Sequence, residues 1–233
     1  MWFGYEELAV LAFAVFLDLV LGEPPAWSHP TVWMGRMTAF LEKAAPRDGA
    51  AGVSAGALIT LSIAGFWLIA AYFVAEGLKS VHIAAYILVG GLILKSTFSV
   101  RMLHSEAAKA RQHLDRGDIK AVRSQMSALV SRDPSQMTAQ QATAATVESV
   151  SENISDSFLG PWLVFALLGL PGAFAYRAIN TLDSMIGYHG AYEHLGKTAA
   201  RLDDLMNLLP ARLGGLLVVV ASALLPGQRA LSA

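Results

Sequence analysis

The sequence of 233 residues contains no cysteine and few charged side chains. Without cysteine there can be no disulfide bond, no thiolate nucleophile and no cysteine-ligated metal. Charged residues make up 15% of the chain, against about a quarter in typical soluble domains. The net charge of −1 gives no electrostatic reason to expect a nucleic-acid partner. P-loop and dinucleotide-binding glycine patterns are absent, so these common signatures do not hold a nucleotide here. The HExxH pattern of zinc proteases and the GxSxG pattern of serine hydrolases are absent as well.

Hydrophobic residues make up 55% of the chain and are concentrated in five runs. The runs cover residues 8–21, 55–75, 81–94, 158–176 and 213–225. A membrane-spanning helix needs roughly 20 apolar residues. The pattern therefore predicts an all-α, polytopic integral membrane protein with four or five membrane segments. No signal-peptide pattern precedes the first run, which we expect to be retained as a helix.

Lys and Arg residues are concentrated in two connections between these runs. The 22–54 connection holds three and the 95–157 segment holds eight, whereas the 76–80 connection holds one. Because positive charge favours the cytoplasmic side, we expect both basic connections there and the N-terminus outside. Within a single membrane-embedded domain, 1–233, the 99–157 segment is predicted to be a cytoplasmic helical insertion. Turn and capping patterns place its helices at 101–115, 119–130 and 138–153.

The apolar segment 158–176 is interrupted by Gly160-Pro161 and by Gly169-Leu-Pro-Gly172. Glycine and proline break the helical hydrogen-bond ladder, which is tolerated at membrane depth where protein covers the backbone. We expect a broken or re-entrant hairpin that returns residue 177 to the cytoplasmic side. A plain kinked span remains the alternative.

Three carboxylates recur every four residues near the end of the third predicted helix: Glu148, Glu152 and Asp156. This spacing places them on one helical face. Hard oxygen ligands on one face suit Mg²⁺ shared with substrate phosphates, and the neighbouring Asn153 adds an amide. A solvated helix end with repelling charges is the alternative interpretation.

Two further polar blocks follow the interrupted segment, at 176–188 and 200–212. Helical spacing brings together Asn180, Asp183 and Ser184 in the first block, and Asp203 with Asn207 in the second. Ordinary surface ion pairs, or an amphipathic helix lying on the membrane, would also produce these patterns. Charge near a membrane persists where it is paired or used, so two such blocks beside a broken segment favour a functional site.

The motifs occur in an order that resembles the adenosylcobinamide-phosphate synthase family of cobalamin biosynthesis, over essentially the whole chain. They are Asp18-Leu-Val-Leu-Gly-Glu-Pro-Pro25, His29-Pro30, Val32-Trp-Met-Gly-Arg36, Val130-Ser-Arg-Asp133, Val147-Glu-Ser-Val-Ser-Glu-Asn-Ile-Ser-Asp156, Tyr176-Arg-Ala-Ile-Asn-Thr-Leu-Asp-Ser-Met185, and Ala200-Arg-Leu-Asp-Asp204 with Asn207 and Pro210-Ala-Arg212.

The resemblance implies a ligase in the cytoplasmic membrane of a prokaryote, with its site facing the cytoplasm. Its reaction would join a propionate of adenosylcobyric acid to aminopropanol phosphate or a related amino alcohol, using ATP and Mg²⁺. Implied partners are the corrinoid, the amino-alcohol phosphate, the lipid bilayer and other cobalamin-biosynthesis enzymes.

These expectations assign roles to particular residues of this chain. Catalysis is expected from Glu152, Asp183 and Asp203. Metal binding is expected from Glu148, Glu152, Asp156, Asp183 and Asp204. Substrate and phosphate binding are expected from Arg36, Arg132, Asn153, Arg177, Asn180, Ser184, Arg201, Asn207 and Arg212. Trp33 and Trp162 are candidates to line an apolar trough for the corrin ring.

Family members usually have a further C-terminal segment with a His-Pro-Ser-Pro-Asn motif, which this sequence lacks. Two other function classes stay open at this point. One is a membrane transporter or corrinoid-binding protein, since broken helices with polar ends also mark solute paths, although no internal repeat is visible. An inactive scaffold of the pathway is the third possibility.

Overall fold

The computed structural model describes residues 4–126 and 137–224, which form ten α-helices and contain no strand. The helices are α1 Tyr5–Leu21, α2 Pro30–Glu42, α3 Gly49–Val81, α4 Ile83–Ala85, α5 Gly91–Lys95, α6 Val100–Asp115, α7 Ile119–Met126, α8 Ala139–Ile154, α9 Gly160–Ile186 and α10 Lys197–Leu224. Two π-helical turns, Tyr86–Gly90 and Ser155–Leu159, join α4 to α5 and α8 to α9.

Four helical segments are long and apolar enough to cross a membrane: Gly49–Val81, Ile83–Asp115, Gln140–Ile186 and Lys197–Leu224. The shorter α1 packs beside α5 and the π-helical turn before it. The predicted all-α, polytopic membrane fold is therefore confirmed. The helices expected in the basic 99–157 segment also appear, as α6, α7 and α8.

The bundle has two ends with different chemistry. At one end Glu7 of α1 meets Lys79 of α3, with Oε1 and Nζ 3.1 Å apart. At the other end the loop after α1 meets the end of α5, and Thr31 of α2 meets Arg177 of α9. The predicted polar blocks gather at this second end, which we call the basic end because both Lys- and Arg-rich connections lie there.

A buried ion network fixes the basic end. Asp18 of α1 is fully buried, and its Oδ2 accepts hydrogen bonds from the backbone amides of Val100 (3.1 Å) and Arg101 (2.9 Å). It thereby caps the N-terminus of α6 across the chain. Lys95 Nζ lies 3.6 Å from Asp18 Oδ1 and 3.1 Å from Glu23 Oε1. Lys95 is only 4% exposed.

Glu23 extends this network toward the loop before α2. Its Oε2 lies 3.1 Å from His29 Nε2. Burial raises the pKa of Glu23, but the hydrogen bond with His29 and the charge of Lys95 outweigh burial and lower that pKa to about 2. Glu23 is therefore an anion at neutral pH, and it shares the positive charge of Lys95 with Asp18.

The interrupted segment reverses direction within α9. Gly169 has φ 67° and ψ −159°, outside the helical region and in the part of backbone space that favours glycine. Asn180 Nδ2 donates to Asp156 Oδ2 at 3.3 Å, whereas 24 residues of straight helix would separate them by about 36 Å. A Cβ added to Gly160 would overlap the Tyr176 hydroxyl. Residues 139–168 and 170–186 therefore form a helical hairpin, as the broken-segment hypothesis predicted.

The hairpin tip is anchored inside the bundle. Leu170, directly after the reversal, is fully buried, and it approaches Gly90 of the first π-helical turn. The return arm packs extensively along α3. Because both arms of the hairpin end near α2 and α6, residues after Arg177 stay at the basic end.

The absence of native cysteine allows a direct test of this arrangement. Single cysteines at Asp115, Ala191 and Ser80, all exposed positions, are introduced into otherwise unchanged protein in sealed, oriented vesicles. A hairpin places positions 115 and 191 on one side of the bilayer and position 80 on the other, so a membrane-impermeant maleimide should label 115 and 191 together. Labelling of 191 from the side that labels 80 would show that residues 158–176 cross the membrane.

The Asp18 network predicts a stability difference between two aspartates. Asp18→Asn removes the charge that faces Lys95, and loss of one partner of a buried ion pair costs about 3 kcal/mol or more. We expect the thermal midpoint in detergent to fall by roughly 5–10 °C. Asp48→Asn is the control, because Asp48 is exposed at the start of α3 and makes no side-chain cap bond. Equal midpoints for the two variants would contradict the structural role of Asp18.

Candidate functional site

A hydrogen-bonded network of carboxylates and amides joins the two arms of the hairpin to α10. Asn180 donates from Nδ2 to Asp156 Oδ2 and to Asp203 Oδ1, both at 3.3 Å. Asn207 donates to Asp203 Oδ2 at 2.8 Å, and Tyr176 donates from its hydroxyl to Asn207 Oδ1 at 2.7 Å. We call these five residues the central network.

Local structure explains why these residues meet. Asp156 lies in the π-helical turn on the outgoing arm, and Asn180 lies on the return arm. Asp203 and Asn207 are four residues apart on α10, so they share one face of that helix. Asn180 and Asp203 are 7% and 8% exposed. Since a buried carboxylate is costly without partners, the two amide donors to Asp203 are what allow its burial.

Arg177 brings a guanidinium to the edge of the central network. Its Nη1 donates to Asn180 Oδ1 at 3.3 Å, and its Nε donates to Thr31 Oγ1 of α2 at 3.4 Å. The same arginine lines a pocket of about 200 Å³ between α6 and α8, together with Asn153 and Ser157. Two residues predicted from different sequence blocks, Asn153 and Arg177, are therefore neighbours at one cavity.

A second cavity of about 360 Å³, the polar pocket, lies where α9 ends and α10 begins. Asp183, Arg201 and Asp204 line it. Asp183 also interacts electrostatically with Asp203 and with Glu152 of α8. The polar pocket and the central network are thus adjacent parts of one charged region.

An apolar groove of about 440 Å³ lies on the membrane side of this region, between α2, α3, α5 and the hairpin. Trp33, Trp67 and Phe174 form its aromatic wall, with successive ring centroids 6.4 and 5.8 Å apart. Trp33, a candidate from the sequence to line an apolar trough, therefore lines an apolar groove. Trp162 does not line this groove and packs instead against Phe98 and Phe158.

The predicted metal ligands do not gather at one place. Among the residues described, no group of three or more His, Asp or Glu side chains is arranged to hold a metal ion. Asp156 belongs to the central network, Asp183 and Asp204 line the polar pocket, and Glu152 interacts electrostatically with Asp156 and Asp183. Glu148 is exposed on α8. Mg²⁺ commonly binds one or two carboxylates together with substrate phosphates, and Asp183 with Asp204 fit that smaller ligand set.

The remaining predicted residues are less concentrated. Ser184 donates to the carbonyl of Asn180, and Arg212 donates to the carbonyl of Leu208, so both are engaged with their own helices. Arg36 is exposed on α2. Arg132 lies outside the described residues.

Several contributors were not predicted as site residues. Tyr176 begins the motif that runs to Met185. The hydrogen bond from its hydroxyl to Asn207 depends on the chain reversal, which sequence spacing does not predict. Lys197 of α10 lines the polar pocket and could have been noticed as a cation four residues before Arg201. Asp18 lies within one apolar run and Lys95 directly follows another. These opposite charges could have been paired by the rule that membrane-embedded charges find partners.

Comparison with known proteins identifies the family of this chain. The family model described as "CobD/Cbib protein" matches residues 11–232. The cobalamin biosynthesis protein CobD of Dehalococcoides mccartyi is 37% identical over 218 residues, covering 93% of this chain and 71% of that protein. The probable cobalamin biosynthesis protein CobD of Pyrococcus abyssi is 40% identical over 213 residues, covering 91% of this chain and 71% of the relative.

A third relative, the cobalamin biosynthesis protein CobD of Geobacter metallireducens, is 39% identical over 220 residues, covering 94% of this chain and 69% of its own length. No solved structure matches this chain. The family match covers all the polar blocks that form the charged region. This chain therefore belongs to the CobD/Cbib protein family.

Proposed function

We propose that this protein is an ATP-dependent amide ligase that joins adenosylcobyric acid to aminopropanol phosphate, or to a related amino alcohol, in cobalamin biosynthesis. The observation that carries the proposal is the adjacency of the central network, the polar pocket and the apolar groove at one end of a membrane bundle. The relatives' names as cobalamin biosynthesis proteins support the pathway.

The proposed reaction has two balanced steps. A propionate oxygen of the corrinoid attacks the γ-phosphorus of ATP, which gives an acyl phosphate and ADP. The amine nitrogen then attacks the acyl carbon, phosphate leaves with the bonding electrons, and the nitrogen loses one proton to a carboxylate. Phosphoryl transfer depends mainly on positioning and charge neutralisation, which a site rich in carboxylates and guanidinium groups can supply.

Each part of the charged region has a task in this proposal. Asp183 and Glu152, whose carboxylates interact electrostatically, are assigned to proton acceptance and to Mg²⁺ contact. Asp203 is assigned a positioning role, because both of its oxygens accept from Asn180 and Asn207. Arg177 is assigned to a phosphate or propionate, since its guanidinium lines a cavity beside the network.

The apolar groove gives the corrinoid a place beside the bilayer. Its aromatic wall suits the contact of a large ring system, and its mouth lies near Pro24 and Ser28 of the loop that carries Glu23. We place the reaction on the cytoplasmic side, because the basic end carries both connections rich in Lys and Arg.

Mass spectrometry of the corrinoid tests this function. Purified protein is incubated with adenosylcobyric acid, aminopropanol phosphate, ATP and Mg²⁺, and the corrinoid mass is measured. We expect a gain that corresponds to amide formation and that disappears without ATP. An unchanged corrinoid in the presence of folded, monodisperse protein would reject the ligase.

The same assay tests the assigned carboxylates. Asp183→Asn and Glu152→Gln should each lower the rate by about 100-fold or more, because general acid–base groups contribute on that order. Asp115→Asn is the matched control, since Asp115 is an exposed aspartate on α6 away from the charged region. The thermal midpoints of all three variants should stay near that of the unmodified protein. Rates equal to the control in both test variants would reject the assignment.

A further inference from the structure

The polar pocket contains charges of both signs, and four of these charged side chains do not pair with one another. Its lining combines acidic, basic and aromatic side chains, namely Asp183, Tyr188, His189, Tyr192, Glu193, Lys197, Arg201 and Asp204. His189 and Glu193 form an ion pair with Nδ1 and Oε2 2.7 Å apart. Ion pairs in the described part of the chain do not include Lys197, Arg201, Asp183 or Asp204.

Two cations and two carboxylates thus face one cavity without neutralising each other directly. Lys197 and Arg201 are four residues apart on α10, so both side chains project from one face of its first turns. Asp204 follows on the same helix, and Asp183 faces it from the end of α9. A ligand that carries both a cation and an anion complements this arrangement better than a simple ion of either sign.

Two glycines allow the end of α9 and the start of α10, which form opposing walls of the polar pocket, to approach each other closely. A Cβ on Gly196 would overlap the carbonyl of Ile186, the last residue of α9. A Cβ on Gly187 would overlap the Asp183 carboxylate. The loop between α9 and α10 therefore closes tightly on itself, and it fixes Asp183 opposite the start of α10.

We propose that the polar pocket is a binding site for phosphate groups carried with Mg²⁺, in which Lys197 and Arg201 contact phosphate oxygens and Asp183 and Asp204 contact the metal. This inference rests on the proposed function, which requires such a ligand, and it adds Lys197 and the location. Guanidinium and ammonium groups are the usual phosphate contacts, and Mg²⁺ binds one or two carboxylates together with phosphates.

Two phosphate sources would satisfy this chemistry. The tyrosines favour a nucleoside triphosphate, because Tyr188 is 51% exposed at the pocket and presents a ring on which a base could stack. The alternative source is the phosphate ester of the amine substrate. Both sources use the same cations and the same metal, so binding measurements with each compound separate them.

The test measures binding without corrinoid, so that it does not depend on amide formation. Equilibrium binding of a non-hydrolysable ATP analogue and of aminopropanol phosphate, each with Mg²⁺, is compared in three detergent-purified proteins. These are the unmodified chain, the Lys197→Ala/Arg201→Ala double variant, and a control Arg116→Ala/Lys120→Ala. The control makes the same change in net charge at exposed positions of the α6–α7 region.

We expect the test variant to bind at least one of the two compounds at least about tenfold more weakly, with the control unchanged. The compound that weakens identifies the phosphate source. An azido-ATP photolabel should modify the peptide around residues 188–201 if that source is the nucleotide. Equal binding in all three proteins would overturn the pocket assignment, and the corrinoid mass assay would then show separately whether the ligase proposal stands.

Discussion

The reversal of the chain at Gly169 is the constraint on which the rest of the structure depends. It returns the second arm of the hairpin along the first, so that Asn180 reaches Asp156 across 24 residues of sequence. Gly160 allows the two arms to pack closely, because only a residue without Cβ leaves room for the Tyr176 hydroxyl between them. A straight helix would place the same polar side chains on opposite sides of the membrane. Every contact of the central network that joins the two arms follows from this one turn.

The charge network around Asp18 holds together the ends of helices that do not belong to the hairpin. Asp18 caps α6, and Lys95 links Asp18 to the loop that carries Glu23 and His29. A buried ion pair is weak evidence of net stabilisation, but it can specify which helix ends meet. Here it joins α1, α5, α6 and the loop before α2. The start of α2, which follows this loop, is thereby placed beside Arg177, whose guanidinium reaches Thr31 of α2, so the structural network borders the charged region.

The sequence was sufficient for the class of fold and for many of the site residues. Apolar runs predicted the membrane helices, glycine and proline predicted the broken segment, and helical spacing grouped Asp203 with Asn207. The sequence could not predict that the acidic residues separate instead of forming one cluster. Glu148, Glu152 and Asp156 share a face only if the helix stays regular. The π-helical turn at Ser155–Leu159 changes that register. The pairing of Lys95 with Asp18 depends on how α1 and α5 pack, which local patterns do not specify.

The separation of the hairpin arms tests the central claim most directly. Spin labels are attached to single cysteines that replace Glu152 and Ser184, both exposed, and their distance is measured by pulsed electron paramagnetic resonance in lipid. A helix continuous from 152 to 184 would hold the two positions about 48 Å apart, at 1.5 Å per residue. The hairpin predicts a narrow distribution well below half of that value. A distance near the straight-helix value would contradict the reversal at Gly169 and, with it, the assembly of the charged region.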